Sequence, residues 1–223
     1  MTSFLPRLDI LPRAQQHVWP RFSAINEDFV LYGGTALALR LGHRQSVDFD
    51  LFTHRELEPE RILSALPLLE EAVVLQSERN TYTFQLPVAD EFVKISFFGT
   101  ISFGRVRDPE WTRDGVLRVA SSEDLLATKL KVVMQRIETK DYQDIAAILR
   151  AGHSLLDGLG ATQTLFGKTF SPVDCLRALE YFEDPLLDDL SQIDRTTLQD
   201  AVREVVSRGV PVATTGESAA LFD

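Results

Sequence analysis

The sequence predicts an α+β fold, a mixed sheet flanked by helices and followed by a helical C-terminal region. Two observations carry this expectation. Short apolar or alternating runs bounded by turn residues fill the chain as far as Ala120. From Ser121 onward, longer stretches place apolar residues at helical spacing. The boundary falls near Asp114 to Ser121, giving a core over residues 1–118 and a helical region over 119–223.

Each element has a local reason. Ala14 to Trp19 is a short helix bracketed by Pro12 and Pro20. Phe29 to Tyr32 is a compact apolar strand, broken by Gly33-Gly34. Thr35 is placed to cap the helix Ala36 to Leu41, and Gly42 stops it. Val47 to Phe52 alternates with period two, so one face is apolar and the other acidic. Pro59 to Glu71 reads as an amphipathic helix with Ile62, Leu63, Leu66 and Leu69 buried.

Three strands follow, Ala72 to Gln76, Tyr82 to Leu86 and Phe92 to Phe98, with Arg79-Asn80 at a hairpin turn. Leu117 to Ala120 is a further short strand. Ser121 and Asp124 resemble a capping box before a long helix from about Glu123 to Ile137. A second helix runs from Asp141 to Leu149, with Asp141 suited to its cap. Leu155 to Thr169 is glycine-rich and reads as irregular, Pro172 to Phe182 and Thr196 to Ser207 as helices, and the tail after Gly209 as frayed.

The bulk properties narrow the function classes. The net charge of -10 excludes a surface that is basic throughout, so any nucleic-acid contact needs a local basic patch. Cys175 is the only cysteine, which rules out an intrachain disulfide and fits a reducing compartment. The N-terminal residues lack the pattern of a signal peptide and no apolar stretch is long enough to span a bilayer. The expectation is a cytoplasmic protein with no membrane partner.

The chemistry concentrates between Val30 and Phe52. Gly33-Gly34-Thr35 joins a strand to a helix, where free N–H groups and a partial positive charge suit phosphate. The spacing matches neither a P-loop nor a dinucleotide fingerprint. Asp48 and Asp50 lie two apart on a strand, so both carboxylates face the same way. Such a pair is costly without a cation, and oxygen-only ligands favour Mg²⁺, with Mn²⁺ as a substitute. Lys129, Arg136 and Lys140 fall on nearly one face if the helix continues, and Asp144 is placed to meet Lys129 across the helix pair. His43 and His54 lack a zinc-ligand spacing, and Cys175 lacks a partner base.

Taken together, Gly33-Gly34-Thr35, Arg44-x-Ser46-x-Asp48-x-Asp50, Lys129 and Arg136-x-x-x-Lys140-Asp141-x-x-Asp144 resemble the AbiEii/AbiGii toxin-type nucleotidyltransferases. These belong to the polymerase-β-like nucleotidyltransferase superfamily. The resemblance covers roughly residues 29–150 and implies a nucleotidyltransferase-like sheet. It implies that Gly34 and Thr35 hold a triphosphate, with Gly33, Arg44 and Ser46 beside them. Asp48 and Asp50 would bind Mg²⁺, Lys129 would contact the phosphates, and Asp144 would be a further site residue. It also implies an NTP substrate, a hydroxyl acceptor such as tRNA or another RNA, and a cognate antitoxin.

One departure stands out. Related enzymes often carry a third carboxylate on a later core strand, and Ser96 occupies the natural position. Serine replaces neither a charged ligand nor a general base. The alternatives to a transferase are therefore a nucleotide- or RNA-binding module of the same fold that has lost catalysis, and a toxin–antitoxin interaction partner.

Overall fold

The structure, a computed structural model, describes residues 2–208. The expected fraying after Gly209 lies outside the described residues. In chain order the elements are β1 (Ser3–Phe4), α1 (Arg13–Val18), β2 (Val30–Tyr32), α2 (Gly33–Leu41), β3 (Asp48–Phe52), α3 (Pro59–Ala65), β4 (Val73–Glu78), β5 (Thr81–Val88), β6 (Glu91–Phe98), β7 (Glu110–Thr112) and β8 (Arg118–Val119). Then come α4 (Ser122–Val132), α5 (Thr139–Arg150), α6 (Leu155–Phe166), α7 (Pro172–Glu180) and α8 (Gln192–Arg208). The fold class is α+β, as the alternation of short strands and later helices predicts.

The described residues form two compact units. The first holds residues 2–102 and Asp108–Ser121, and the second holds Phe103–Arg107 and residues 122–208. The segment Phe103–Arg107 thus belongs with the helices, although strands lie on both sides of it in sequence.

All eight described strands lie in the first unit as one mixed sheet, ordered β1-β7-β8-β2-β3-β6-β5-β4. At its centre β3 pairs antiparallel with β2 and parallel with β6. The parallel register sets Asp48 opposite Lys94 and Asp50 opposite Ser96. The alternation of β3 fixes which face is dry. Phe49 and Leu51 are fully buried with Val93, Ile95 and Phe97 of β6, while Asp48 and Asp50 take the other face.

The dry face is covered by α1 and the 3-10 segment Trp19–Ile25 that follows it. Phe22 meets Phe49 edge-on at 4.8 Å and Trp19 stacks on Phe49 at 6.2 Å. The Trp19 indole N–H donates to Asp114 at 2.8 Å, so its one polar atom is satisfied inside a packing role.

Three local expectations are corrected here. The helix expected over Pro59–Glu71 breaks, with α3 ending at Ala65 and a 3-10 turn running over Pro67–Glu71. Pro67 has no N–H to donate and disfavours helical backbone at Leu66, whose ψ is 72°. Ile62, Leu66 and Leu69 still reach the core. Next, the long helix expected to reach Ile137 stops at Val132, so Lys129, Arg136 and Lys140 do not share a helix. Finally, Leu155–Phe166 is helical and not irregular.

Gly158 explains this last difference. A Cβ there would stand 2.5 Å from Leu126 Cδ2 and 3.1 Å from Leu130 Cδ1, so glycine is what lets α6 lie close against α4. Ser154 caps α6 by accepting from the Asp157 N–H at 3.3 Å. Among the described residues no helix is long and apolar enough to cross a membrane.

Candidate active site

In the first unit, α2 follows β2 with no loop between them. Gly33 opens it at φ +74°, a conformation that strains a residue with a side chain. The bare Cα also makes room. A Cβ on Gly33 would stand 2.3 Å from Asp50 Oδ2, so the Asp50 carboxylate is seated directly against the turn. A Cβ on Gly34 would stand 2.6 Å from Arg44 Nη2 and 2.8 Å from Ser46 Oγ. The loop after α2 thus folds back, bringing Arg44, Ser46 and Asp50 to the start of the helix.

Thr35 does something other than cap. It lies inside α2, fully buried, and its hydroxyl donates to the main-chain carbonyl of Asp48. The N-cap position belongs to Tyr32, whose side chain makes no capping bond to the helix. Thr35 therefore ties the helix to the acidic strand, fixing where Asp48 and Asp50 begin.

Lys94 is a site residue that the sequence reading missed. Its Nζ lies 3.8 Å from Asp48 Oδ2, with both side chains partly exposed. The signal was present in the alternation of Phe92-Val-Lys-Ile-Ser, which puts Lys94 and Ser96 on one face. Only the register of β6 against β3 shows that this face is the acidic one. Ser96 is buried and accepts from the Thr83 hydroxyl at 3.3 Å. Among the described residues no group of three His, Cys, Asp or Glu side chains could hold a metal ion, so Asp48 and Asp50 stand as a pair.

The second unit contains its own charged centre. Lys129 on α4 is buried, with its ammonium 2.7 Å from Asp141 Oδ1 and 2.6 Å from Asp144 Oδ2 on α5. Both carboxylates are fully buried. The Arg136 Nε donates to Asp141 Oδ2 at 3.0 Å, and Lys140 pairs with Glu138 at 2.9 Å. The stripe of positive charge expected on one helix is instead a set of ion pairs at the start of α5, of which those of Lys129 join α4 to α5. Asp141 is not the cap of α5 but binds Lys129 and Arg136 from its first turn. Cys175 is buried, its thiol donates weakly to the Leu130 carbonyl at 3.5 Å, and burial pushes its pKa up to about 12.

One prediction arises from the turn itself. Gly33→Ala is expected to destabilise the first unit by about 1–2 kcal/mol through left-handed strain, and to displace the Asp50 carboxylate. Thermal melting with and without Mn²⁺ checks it. An alanine variant that melts with the parent and keeps the same Mn²⁺ response would remove Gly33 from the site.

Comparison with known proteins places these features in context. The family described as "Nucleotidyl transferase AbiEii toxin, Type IV TA system" matches residues 19–210. An uncharacterized protein of Aquifex aeolicus (strain VF5) is 32% identical over 165 residues, covering 72% of this chain and 76% of the relative. Among solved structures, a protein assigned as a nucleotidyltransferase from H. pylori superposes with a TM-score of 0.55 at 17% identity, covering 86% of this chain and 93% of that one. MenT4, a nucleotidyltransferase toxin from Mycobacterium tuberculosis H37Rv, gives 0.48 at 16% identity, covering 91% and 89%.

Proposed function

The chain belongs to the AbiEii nucleotidyltransferase toxin family, and from that premise we propose that it transfers a nucleoside monophosphate from an NTP to a hydroxyl acceptor, with tRNA or another RNA as the acceptor to test. The observation that carries the reading is the seating of the Asp50 carboxylate against Gly33, with Asp48 beside it and Arg44 and Ser46 at Gly34.

Two oxygen donors on one strand face suit a hard divalent cation, and the seating of Asp50 against the start of α2 supports an ion shared with a phosphate there. Asp48 and Asp50 would hold Mg²⁺, or Mn²⁺ in its place. Such an ion supplies Lewis-acid polarisation of the phosphate and charge neutralisation of the leaving pyrophosphate. The chain's own residues do the remainder. The opening N–H groups of α2 and the Arg44 guanidinium receive the triphosphate, and Ser46 adds a hydroxyl. The acceptor oxygen bonds to the α-phosphorus as the bond to the β-phosphate oxygen breaks, and the hydroxyl proton passes to water. Thr35 holds the acidic strand in register by its bond to Asp48. In the second unit the Lys129 ammonium lies between the buried Asp141 and Asp144 carboxylates and joins α4 to α5.

Incubation with each α-labelled NTP, total RNA and Mg²⁺ or Mn²⁺ tests the reading. Label is expected to enter RNA with one or a few bases, and Asp48→Ala is expected to abolish it with the fold intact by circular dichroism. A fully active Asp48→Ala protein would sink the assignment. Ser96 favours a second reading, nucleotide binding without turnover, which the same assay separates by bound but untransferred label. As a toxin, the protein is expected to slow growth when expressed alone, and an antitoxin to relieve the effect.

A further inference from the structure

The polar face of the central strands carries an unusual balance of charge for a site of this kind. Two rows cross it. One runs Asp48, Lys94, Gln85 and the other Asp50, Ser96, Thr83. Neither row contains a further carboxylate. Where a third acid would stand beside Asp50 there is a buried serine bonded to Thr83, and beside Asp48 there is an ammonium at 3.8 Å.

We propose that this site takes one divalent cation with the nucleotide, and that the Lys94 ammonium supplies the second positive charge, contacting the triphosphate itself. This rests on the nucleotidyltransferase reading above and adds to it the cation count and a substrate-contacting residue.

The argument is one of charge and space. Sites that hold two divalent ions set them about 3.5–4 Å apart and bridge them with carboxylates. On the strand face the two carboxylates and one ammonium sum to a formal charge of one negative, and the Arg44 guanidinium at Gly34 brings the site to zero, which leaves no negative charge to hold a second divalent ion. A second ion at Asp48 would approach an ammonium already within 3.8 Å of that carboxylate, with no additional acid to offset the repulsion. Lysine is well shaped for the substitute role. It is a compact point charge with three donors on a flexible stem, and Lys94 is half-exposed, so its ammonium can turn from Asp48 to a phosphate oxygen.

The test is equilibrium dialysis of the full chain with Mn²⁺ and each α,β-methylene nucleoside triphosphate, counting both species bound. One Mn²⁺ per nucleotide is expected for the native protein. Lys94→Gln is expected to keep that ratio while binding nucleotide about tenfold more weakly, the loss of one charge-assisted contact. Lys94→Asp, which adds a carboxylate beside Asp48, is expected to raise the ratio towards two. Two Mn²⁺ per nucleotide in the native protein would overturn the proposal, as would unchanged nucleotide affinity in Lys94→Gln. Either result leaves the transferase reading standing. Absence of any nucleotide or Mn²⁺ binding by the native protein would instead bring down the site as a whole, this proposal included.

Discussion

Asp50→Asn is expected to lower nucleotide transfer by about 10²-fold or more, the scale on which a preorganised electrostatic group acts on a transition state. The substitution keeps shape and removes only charge. Asp50 is half-buried and its carboxylate lies against the bare Cα of Gly33. An amide therefore fits the same space, and stability is expected to move by no more than about 1 kcal/mol. The informative contrast is Ser96→Ala. Ser96 sits opposite Asp50 on β6, but its hydroxyl is neutral, buried and bonded to Thr83. Its removal is expected to leave transfer within about fivefold, since a single neutral hydrogen bond is worth about 1 kcal/mol. Single-turnover transfer with α-labelled NTP measures both. If the serine variant fell as far as the asparagine one, Ser96 would have to touch substrate, and the assignment of roles on this face would be wrong.

The second large effect lies in the helical unit. Lys129→Met is expected to destabilise that unit by about 3–5 kcal/mol, because it leaves Asp141 and Asp144 buried with their shared cation gone. The change corresponds to a fall in melting temperature of about 10 °C or more. Most of the cost is the penalty of stranded charge and not the worth of the pair. Adding Asp144→Asn to Lys129→Met is therefore expected to recover part of the loss, although Asp144→Asn alone is itself destabilising. Calorimetry on the three variants and the parent closes the cycle. A Lys129→Met protein that melts within a degree or two of the parent would mean that the carboxylates are reached by water, contrary to their burial.

The features legible in the sequence were those carried by neighbours along the chain. Gly33-Gly34 between apolar residues announced a turn, and the period-two run at Asp48 and Asp50 announced one acidic face. Strand β6 was visible for the same reason. What the sequence left open was decided by distant partners. Lys94 is an ordinary strand lysine until β6 is laid parallel to β3. Gly158 looks like a helix breaker until the close approach of Leu126 is seen. The positive stripe failed because Val132 ends α4, and its lysines and arginine found acids on α5 and just before it. Thr35 read as a cap because threonine after a glycine turn often is one, yet its hydroxyl reaches across to Asp48.

The path of the chain between its two units bears on how the protein is made and how it can be cut. Residues 103–107 depart from the first unit before its last strands have been laid down, and Asp108–Ser121 then returns to complete the sheet. The buried Asp124 carboxylate of α4 accepts from the main-chain N–H groups of Val106 and Arg107, at 2.8 and 3.2 Å. A ribosome therefore releases part of the second unit ahead of the end of the first, and the sheet closes only once β7 and β8 have emerged. Cleavage at the change of composition near Ser121 would strand residues 103–107 on the wrong fragment and take two donors from Asp124. The halves are expected to be recovered in folded form only when produced together.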